Sequence, residues 1–223
     1  EGLTSRDCKK IFNSIRQIGI EAEKEMFKAT NGVNTHKGML FLMGISCGAV
    51  GKAIYEKRPF HHIQDIIKAM TKGIVEKELT KLNKDSNLSN GERIYLKYNS
   101  TGIRGEVEAG IPIVFNYSLD FYNANKKLPI NHRLVHTLIG IMQYCDDTTI
   151  LHRHSYETLE EVRKKAKEII KLGGMTTEIG RQKIKNLNEE FIKKNISPGG
   201  SADLLGITVF LDFVFEYMKN LDL

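Results

Sequence analysis

The stretch CKKIFNSIRQIGIEAEKEM, residues 8–26, carries apolar or small side chains at Cys8, Ile11, Phe12, Ile15, Ile18, Ala22 and Met26. Steps of three and four residues place all seven on one stripe of an α-helix. Thr4 with Asp7 three residues on has the form of a capping box, so the spacing predicts a helix over about residues 5–28. The same period returns along the chain and predicts further helices over 37–57, ended by Pro59, and over 61–82, 113–126, 131–145, 156–172, 176–195 and 201–219. Gly173-Gly174 closes the helix over 156–172. No run alternates with the period of a strand. The predicted fold class is therefore all-α: a single compact bundle of about eight helices with functional glycine-rich loops, residues 1–223 forming one domain.

Composition agrees with a buried core. Of 223 residues 41% are hydrophobic and 27% charged, far from the disordered range, and only four are Pro. A net charge of +6 favours anionic partners without naming one. The chain has no Trp, and no aromatic platform sits among the Lys and Arg of residues 163–194, so no nucleic-acid partner is expected. Three Cys, none in a CxxC pair, suggest neither a disulfide framework nor a thiolate zinc site, and a reducing, cytoplasmic location is expected. The longest uncharged stretch, residues 38–51, has fourteen residues, whereas a bilayer needs about 20. It reads as a buried core helix, and no membrane partner is expected. Its recurring Gly44, Gly48 and Gly51 suit close packing inside a bundle or across a homodimer equally well. The chain begins at Glu1, with no basic-then-apolar leader, so an upstream N-terminal segment is expected to be missing.

Four glycine-rich or polar segments are not explained as core faces. The first is NGVNTHKG, residues 31–38, where Asn34 and Thr35 can cap the next helix and Lys37 with the first-turn amides would face an anion. A plain capping loop fits it as well. The second is TGIRGE, residues 101–106, in a stretch over 101–112 that reads as an ordered loop. Glycines flank Arg104 there, a planar fork suited to phosphate, and a solvated salt bridge is its bland alternative. The third, DDTTILHRHS, residues 146–155, is read as a helix C-terminus. That end of a helix is electrostatically unfavourable for Asp146 and Asp147, so a divalent cation carrying phosphate, or Arg153, would compensate them. Ile150 stands where a DDxxD motif needs its last Asp, and His152 and His154 read as loop histidines. The fourth is SPGGSAD, residues 197–203, at the start of an apolar helix, either an anion site of free amides and Ser hydroxyls or a tight turn capped by Ser201. It lacks the Gly-Lys-Ser/Thr ending of a Walker loop.

Taken in order, GIEAEKEMFKATNGVNTHKG (19–38), GIRGEVEAGIP (102–112), DDTTILHR (146–153) and SPGGSADLLGIT (197–208) resemble the signature blocks of the triphosphoribosyl-dephospho-CoA synthase family. The resemblance covers essentially the whole chain. It departs from the family pattern at Thr149 and at His154-Ser155, and the family's further upstream block is absent from this sequence.

The resemblance implies a reaction between ATP and 3′-dephospho-CoA that releases adenine and keeps the triphosphate, with Mg²⁺ expected alongside ATP and no covalent cofactor. Such chemistry needs phosphate charges neutralised, adenine protonated as it leaves, and a hydroxyl deprotonated beside a cationic sugar. The implied phosphate-binding set is Asn34, Thr35, Lys37, Gly38, Arg104, Gly105, Arg153, Ser197, Gly199, Gly200 and Ser201, with Asp146 and Asp147 toward the metal. Glu106 or Asp203 would serve as base or as the carboxylate facing the sugar cation, Asp147 joins them in the catalytic set, and His36 would act toward adenine. The alternative is a non-catalytic nucleotide- or CoA-binding helical protein.

Overall fold

The computed structural model describes residues 7–80 and 88–222. Those residues form α1 (Cys8–Ala29), α2 (Lys37–Tyr55), α3 (His62–Thr71), α4 (Asn90–Tyr98), α5 (Gly102–Glu108), α6 (Leu119–Ala124), α7 (Ile130–Met142), α8 (Thr148–Arg153), α9 (Tyr156–Lys171), α10 (Glu178–Lys194) and α11 (Gly199–Lys219), with short π- and 3-10-helical turns and no strand. The all-α class holds, but there are eleven α-helices where eight were expected. The three additions are short: α4 has nine residues, α5 seven and α8 six. The expected loop over 101–112 is thus largely helix α5. The helix expected over 61–82 ends at Thr71, because Lys72 leaves helical geometry and Gly73 takes a φ of +78°. The expected helix over 113–126 is a π-helical turn, Val114–Ser118, running into α6. Thr4 lies outside the described residues, and α1 is capped by Asp7, whose side chain accepts from the Lys9 amide at 2.8 Å.

Helix α2 is the centre of one layer. It packs against α1, α3 and α11, with Leu42, Ile45, Ala49 and Ala53 fully buried. By length and composition it is the one helix among the described residues that could cross a membrane. Its small residues have a use inside the bundle: Gly44 and Gly48 face Ile15 of α1, and a methyl group on Gly48 would run into the Ile15 side chain. Of the α1 stripe, Ile11, Phe12 and Met26 are buried while Ile18 stays exposed.

The apolar side chains form two cores. One joins α1, α2, α3, α5 and α11 through Ile11, Leu42, Ile67, Val107 and Leu211. The other joins α4, α7, α8, α9 and α10 through Ile94, Ile139, Ile150, Val162 and Leu187. Side chains of both, Leu204 and Cys145 from the first and Ile94 from the second, reach a cleft at their seam.

Candidate active site

The cleft at the seam has a volume of about 820 Å³ and is lined by all four of the glycine-rich or polar segments. Five helices begin on it. The first residues of α2 (Lys37, Gly38), α4 (Asn90, Gly91), α5 (Gly102, Ile103), α8 (Thr148, Thr149) and α11 (Gly199, Gly200) all contribute to the wall. A helix start presents backbone N–H groups with no intrahelical partner, and the protein's own side chains take up several of them here: Ser89 at α4, and Asp147 at both α8 and α11. Asn34 caps α2 in place of its N-cap residue, its Oδ1 accepting from the Lys37 amide at 3.1 Å, while no side chain caps α5 through its N-cap residue. Gly102 adopts a φ of +50°, and a methyl group on it would stand 2.5 Å from Cγ2 of Thr148, so α5 and α8 begin in direct contact.

Asp147 sits beneath this wall and not in it. It is 1% exposed and does not line the cleft. Its Oδ1 accepts from the amides of Thr149 (3.1 Å), Ile150 (3.3 Å) and Gly200 (3.2 Å). Its Oδ2 accepts from the amide (2.8 Å) and the hydroxyl (3.0 Å) of Ser201. One carboxylate therefore caps α8 and α11 together. This corrects three expectations. The Asp146-Asp147 pair lies at a helix N-terminus, where the dipole favours a negative charge, and needs no metal for compensation. Asp147 has both oxygens engaged by the protein's own donors and does not face the cleft, where the expected metal and catalytic roles would place it. The amides of Gly200 and Ser201 and the Ser201 hydroxyl serve this internal carboxylate, not a ligand phosphate.

The remaining expected residues do meet in the cleft: Asn34, Thr35, His36, Lys37, Gly38, Arg104, Gly105, Glu106, Asp146, Arg153, Ser197, Gly199, Gly200 and Asp203 all line it. Three cations approach from different sides. Lys37 pairs with Glu23 of α1. Arg104 donates through Nε to Glu78 at 2.8 Å, a carboxylate that also pairs with Arg16. Arg153 makes no ion pair among the described residues. His36, the N-cap of α2, has Nδ1 2.6 Å from the Thr35 hydroxyl at the mouth.

Two carboxylates on the wall are poised near neutrality. Burial pushes Glu106 up to about 6, with a further push from the charge of Asp146, against the pull of the Ile113 amide that donates to it at 2.9 Å. Burial likewise pushes Asp203 up to about 6, helped by the charge of Asp147. Gly38 lies hard against the Asp203 carboxylate, where any side chain would collide. The Cys145 thiol, also on the wall, is held protonated because full burial pushes it well above its ordinary value.

Among the described residues no three His, Cys, Asp or Glu side chains are grouped to hold a metal ion. A magnesium ion carried on a triphosphate needs only one or two protein carboxylates. Asp146 fits that need: it lines the cleft, is half exposed, and pairs with Arg163 through Oδ1 only.

Several cleft residues escaped the sequence reading. Ser89 forms a full capping box with Glu92 at the start of α4, a pattern visible in the SNGE of residues 89–92. Thr148 and Thr149 open α8 on the cleft, and His152, expected in a loop, lies in α8 and lines the cleft as well. Tyr144 stands on the rim, half exposed, edge-on to Tyr117 at 4.8 Å.

A sequence model of the family described as ATP:dephospho-CoA triphosphoribosyl transferase matches residues 3–221. The chain is 41% identical over 209 residues to a probable 2-(5''-triphosphoribosyl)-3'-dephosphocoenzyme-A synthase of Malonomonas rubra, covering 91% of this chain and 66% of the relative. It is 40% identical over 212 residues to a protein of the same name from Lactiplantibacillus plantarum, covering 93% of this chain and 74% of the relative. It is 39% identical over 210 residues to the protein CitXG of Leuconostoc mesenteroides subsp. cremoris, covering 92% of this chain and 45% of that one. The chain thus spans just under two thirds of the Malonomonas relative and less than half of CitXG. No solved structure matches it.

Proposed function

The chain belongs to the ATP:dephospho-CoA triphosphoribosyl transferase family, and from that premise we propose that its cleft binds ATP by the triphosphate and transfers the triphosphoribosyl group to the 2′-hydroxyl of 3′-dephospho-CoA, releasing adenine. The observation that carries this reading is the convergence of three cations, Lys37, Arg104 and Arg153, with the starts of α2 and α5, on one cleft that also holds two carboxylates pushed up to about 6. Backbone amides and guanidinium forks suit a polyphosphate, and the carboxylates suit a proton transfer at the adjoining sugar.

In the reaction the bond from ribose C1′ to the adenine nitrogen breaks, its electron pair leaving with the base. A bond forms from C1′ to the 2′-oxygen of dephospho-CoA, whose proton must go to a base. Glu106 and Asp203 divide that work. An ionised carboxylate takes the hydroxyl proton and faces the positive charge growing on the sugar; a carboxyl that holds its proton to about pH 6 can deliver it to the departing adenine. We assign Glu106 as base, because the Ile113 amide that donates to it favours its ionised form, and Asp203 as acid, with His36 at the mouth as a hydrogen-bonding partner for adenine. Asn34, Thr35, Gly105, Ser197 and the Gly199 amide line the triphosphate's path. Magnesium, when bound, would shield the triphosphate and fix its orientation through Asp146. Asp147 and Ser201 hold the floor.

The test is adenine release from ATP and 3′-dephospho-CoA, with wild type compared to Glu106→Gln and Asp203→Asn. A loss of turnover of at least about a hundredfold in each is expected for general acid–base groups. Failure of the wild type to release adenine, or unchanged rates in both variants, refutes the assignment.

A further inference from the structure

A second, smaller cavity of about 230 Å³ adjoins the cleft. It lies between α1 and α2, with Phe12, Ile15 and Gly19 on one side and Leu40 and Phe41 on the other. Lys37, Gly38, Ile103 and Arg104 line both cavities, so the two adjoin at that wall. The geometry points to this groove as the binding site for the pantetheine arm of the acceptor substrate, an inference that rests on the transferase reading above.

Three observations support one occupant. The first is size: independent ligand pockets run from about 300 to 1,000 Å³, so this groove suits a slender extension of a molecule anchored next door. The second is the order of chemistry along it. Dephospho-CoA is a nucleoside, then a diphosphate, then an uncharged arm with two methyl groups, two amides and a thiol. The structure offers the same order: a polar cleft, then Lys37 and Arg104 at the junction, then apolar walls. Arg104 engages Glu78 only through Nε, while its Nη1 lies toward Gly91 of the cleft, leaving donors for a diphosphate. Glu23 and Glu78, on the groove's wall, can accept from the arm's amide N–H groups. The third is Gly19. Glycine is a poor residue for a helix interior, yet this one stands well inside α1 with no atom within 4 Å of where a Cβ would be. Nothing packs against it, and what a side chain there would occupy is the groove.

The experiment is to plug the groove with Gly19→Phe, with Gly19→Ala as the conservative control and Leu40→Gln as a second disturbance of the opposite wall. Titration with 4′-phosphopantetheine reads the groove without any turnover. Binding to wild type that weakens at least about tenfold in Gly19→Phe, with ATP affinity unchanged within about twofold, is the expected result, and the KM for dephospho-CoA rises in parallel while that for ATP does not. Leu40→Gln shows the same selectivity with a smaller loss, whether or not Gly19→Phe folds. No binding of 4′-phosphopantetheine to wild type, or equal binding to Gly19→Phe, overturns the groove assignment. Absence of adenine release by a wild type that does bind the probe overturns the transferase reading instead.

Discussion

Replacing Asp147 with Asn separates two accounts of the same residue. If the carboxylate served a ligand, the amide would impair ATP binding or turnover and leave the fold unaffected. The structure requires a loss of stability instead. Asn can present its carbonyl to Thr149, Ile150 and Gly200, but its NH₂ then faces the Ser201 amide, donor against donor. A buried amide left without an acceptor costs about 1–3 kcal/mol, and three hydrogen bonds to a charge become bonds to a neutral group, weaker by roughly 0.5–1 kcal/mol each. Together these come to about 4 kcal/mol. For a chain of this size each kcal/mol lowers Tm by about 2–4 °C, so Asp147→Asn is expected to melt roughly 10 °C below wild type. Thermal unfolding followed by circular dichroism, repeated in urea, measures the difference. An Asn variant that melts within about 2 °C of wild type while losing ATP affinity would refute the double-cap account and restore Asp147 to the ligand side.

Three other perturbations have definite signs. Glu106 is pushed up from 4.5 to about 6, so the folded state holds its proton more tightly than the unfolded chain does. This group's contribution to stability is thus fully present below pH 4.5, is lost as pH rises through about 6, and then stays flat. Glu106→Gln, which can still accept from the Ile113 amide, is expected to gain on wild type between those limits by up to about 2 kcal/mol, reduced by water in the open cleft; urea midpoints at pH 4.5 and pH 7 that give the same difference would refute it. Turnover that needs Glu106 ionised and Asp203 protonated should peak near pH 6 and fall on either side, and a rate–pH profile flat from pH 5 to 7 would deny the pair these roles. Gly180→Ala, whose new methyl would run into the Gly174 backbone carbonyl, is expected to cost about 2–3 kcal/mol of stability in denaturant titration, and a cost near zero would contradict this packing of α10 on its preceding turn. Asp146→Asn is expected to reduce the magnesium-dependent part of ATP affinity and leave the magnesium-free part unchanged; equal affinities of variant and wild type at all magnesium concentrations would remove Asp146 from the metal.

The long helices could be read from the sequence because each carries several turns of apolar periodicity, as the run from Cys8 to Met26 does. The short ones could not. With nine, seven and six residues, α4, α5 and α8 have too few turns for a period to show, and α5 opens with glycine and carries a second one at Gly105. These three supply much of the cleft wall, so the fold class was legible while part of the site's frame was not. Local signals existed for two of them: the Ser89–Glu92 capping box for α4, and the Asp147-Thr-Thr pattern of an N-cap for α8. The residue types of the cleft drew notice because glycine, arginine and paired carboxylates gather in segments that no core face explains. The fate of Asp147 was hidden, since its partners at Gly200 and Ser201 lie more than fifty residues away and only the packed fold brings them to it.

The charge walled in at Asp147 has an effect beyond the two helix starts it joins. It is one of the causes that hold Asp203 near pH 6, so a group that meets no ligand helps set how much of the acid is available at neutral pH. Architecture and proton supply are therefore written into a single side chain. Any successor at that position must carry a negative charge of the same shape, because a neutral mimic that spared the joint would still retune the acid beside it.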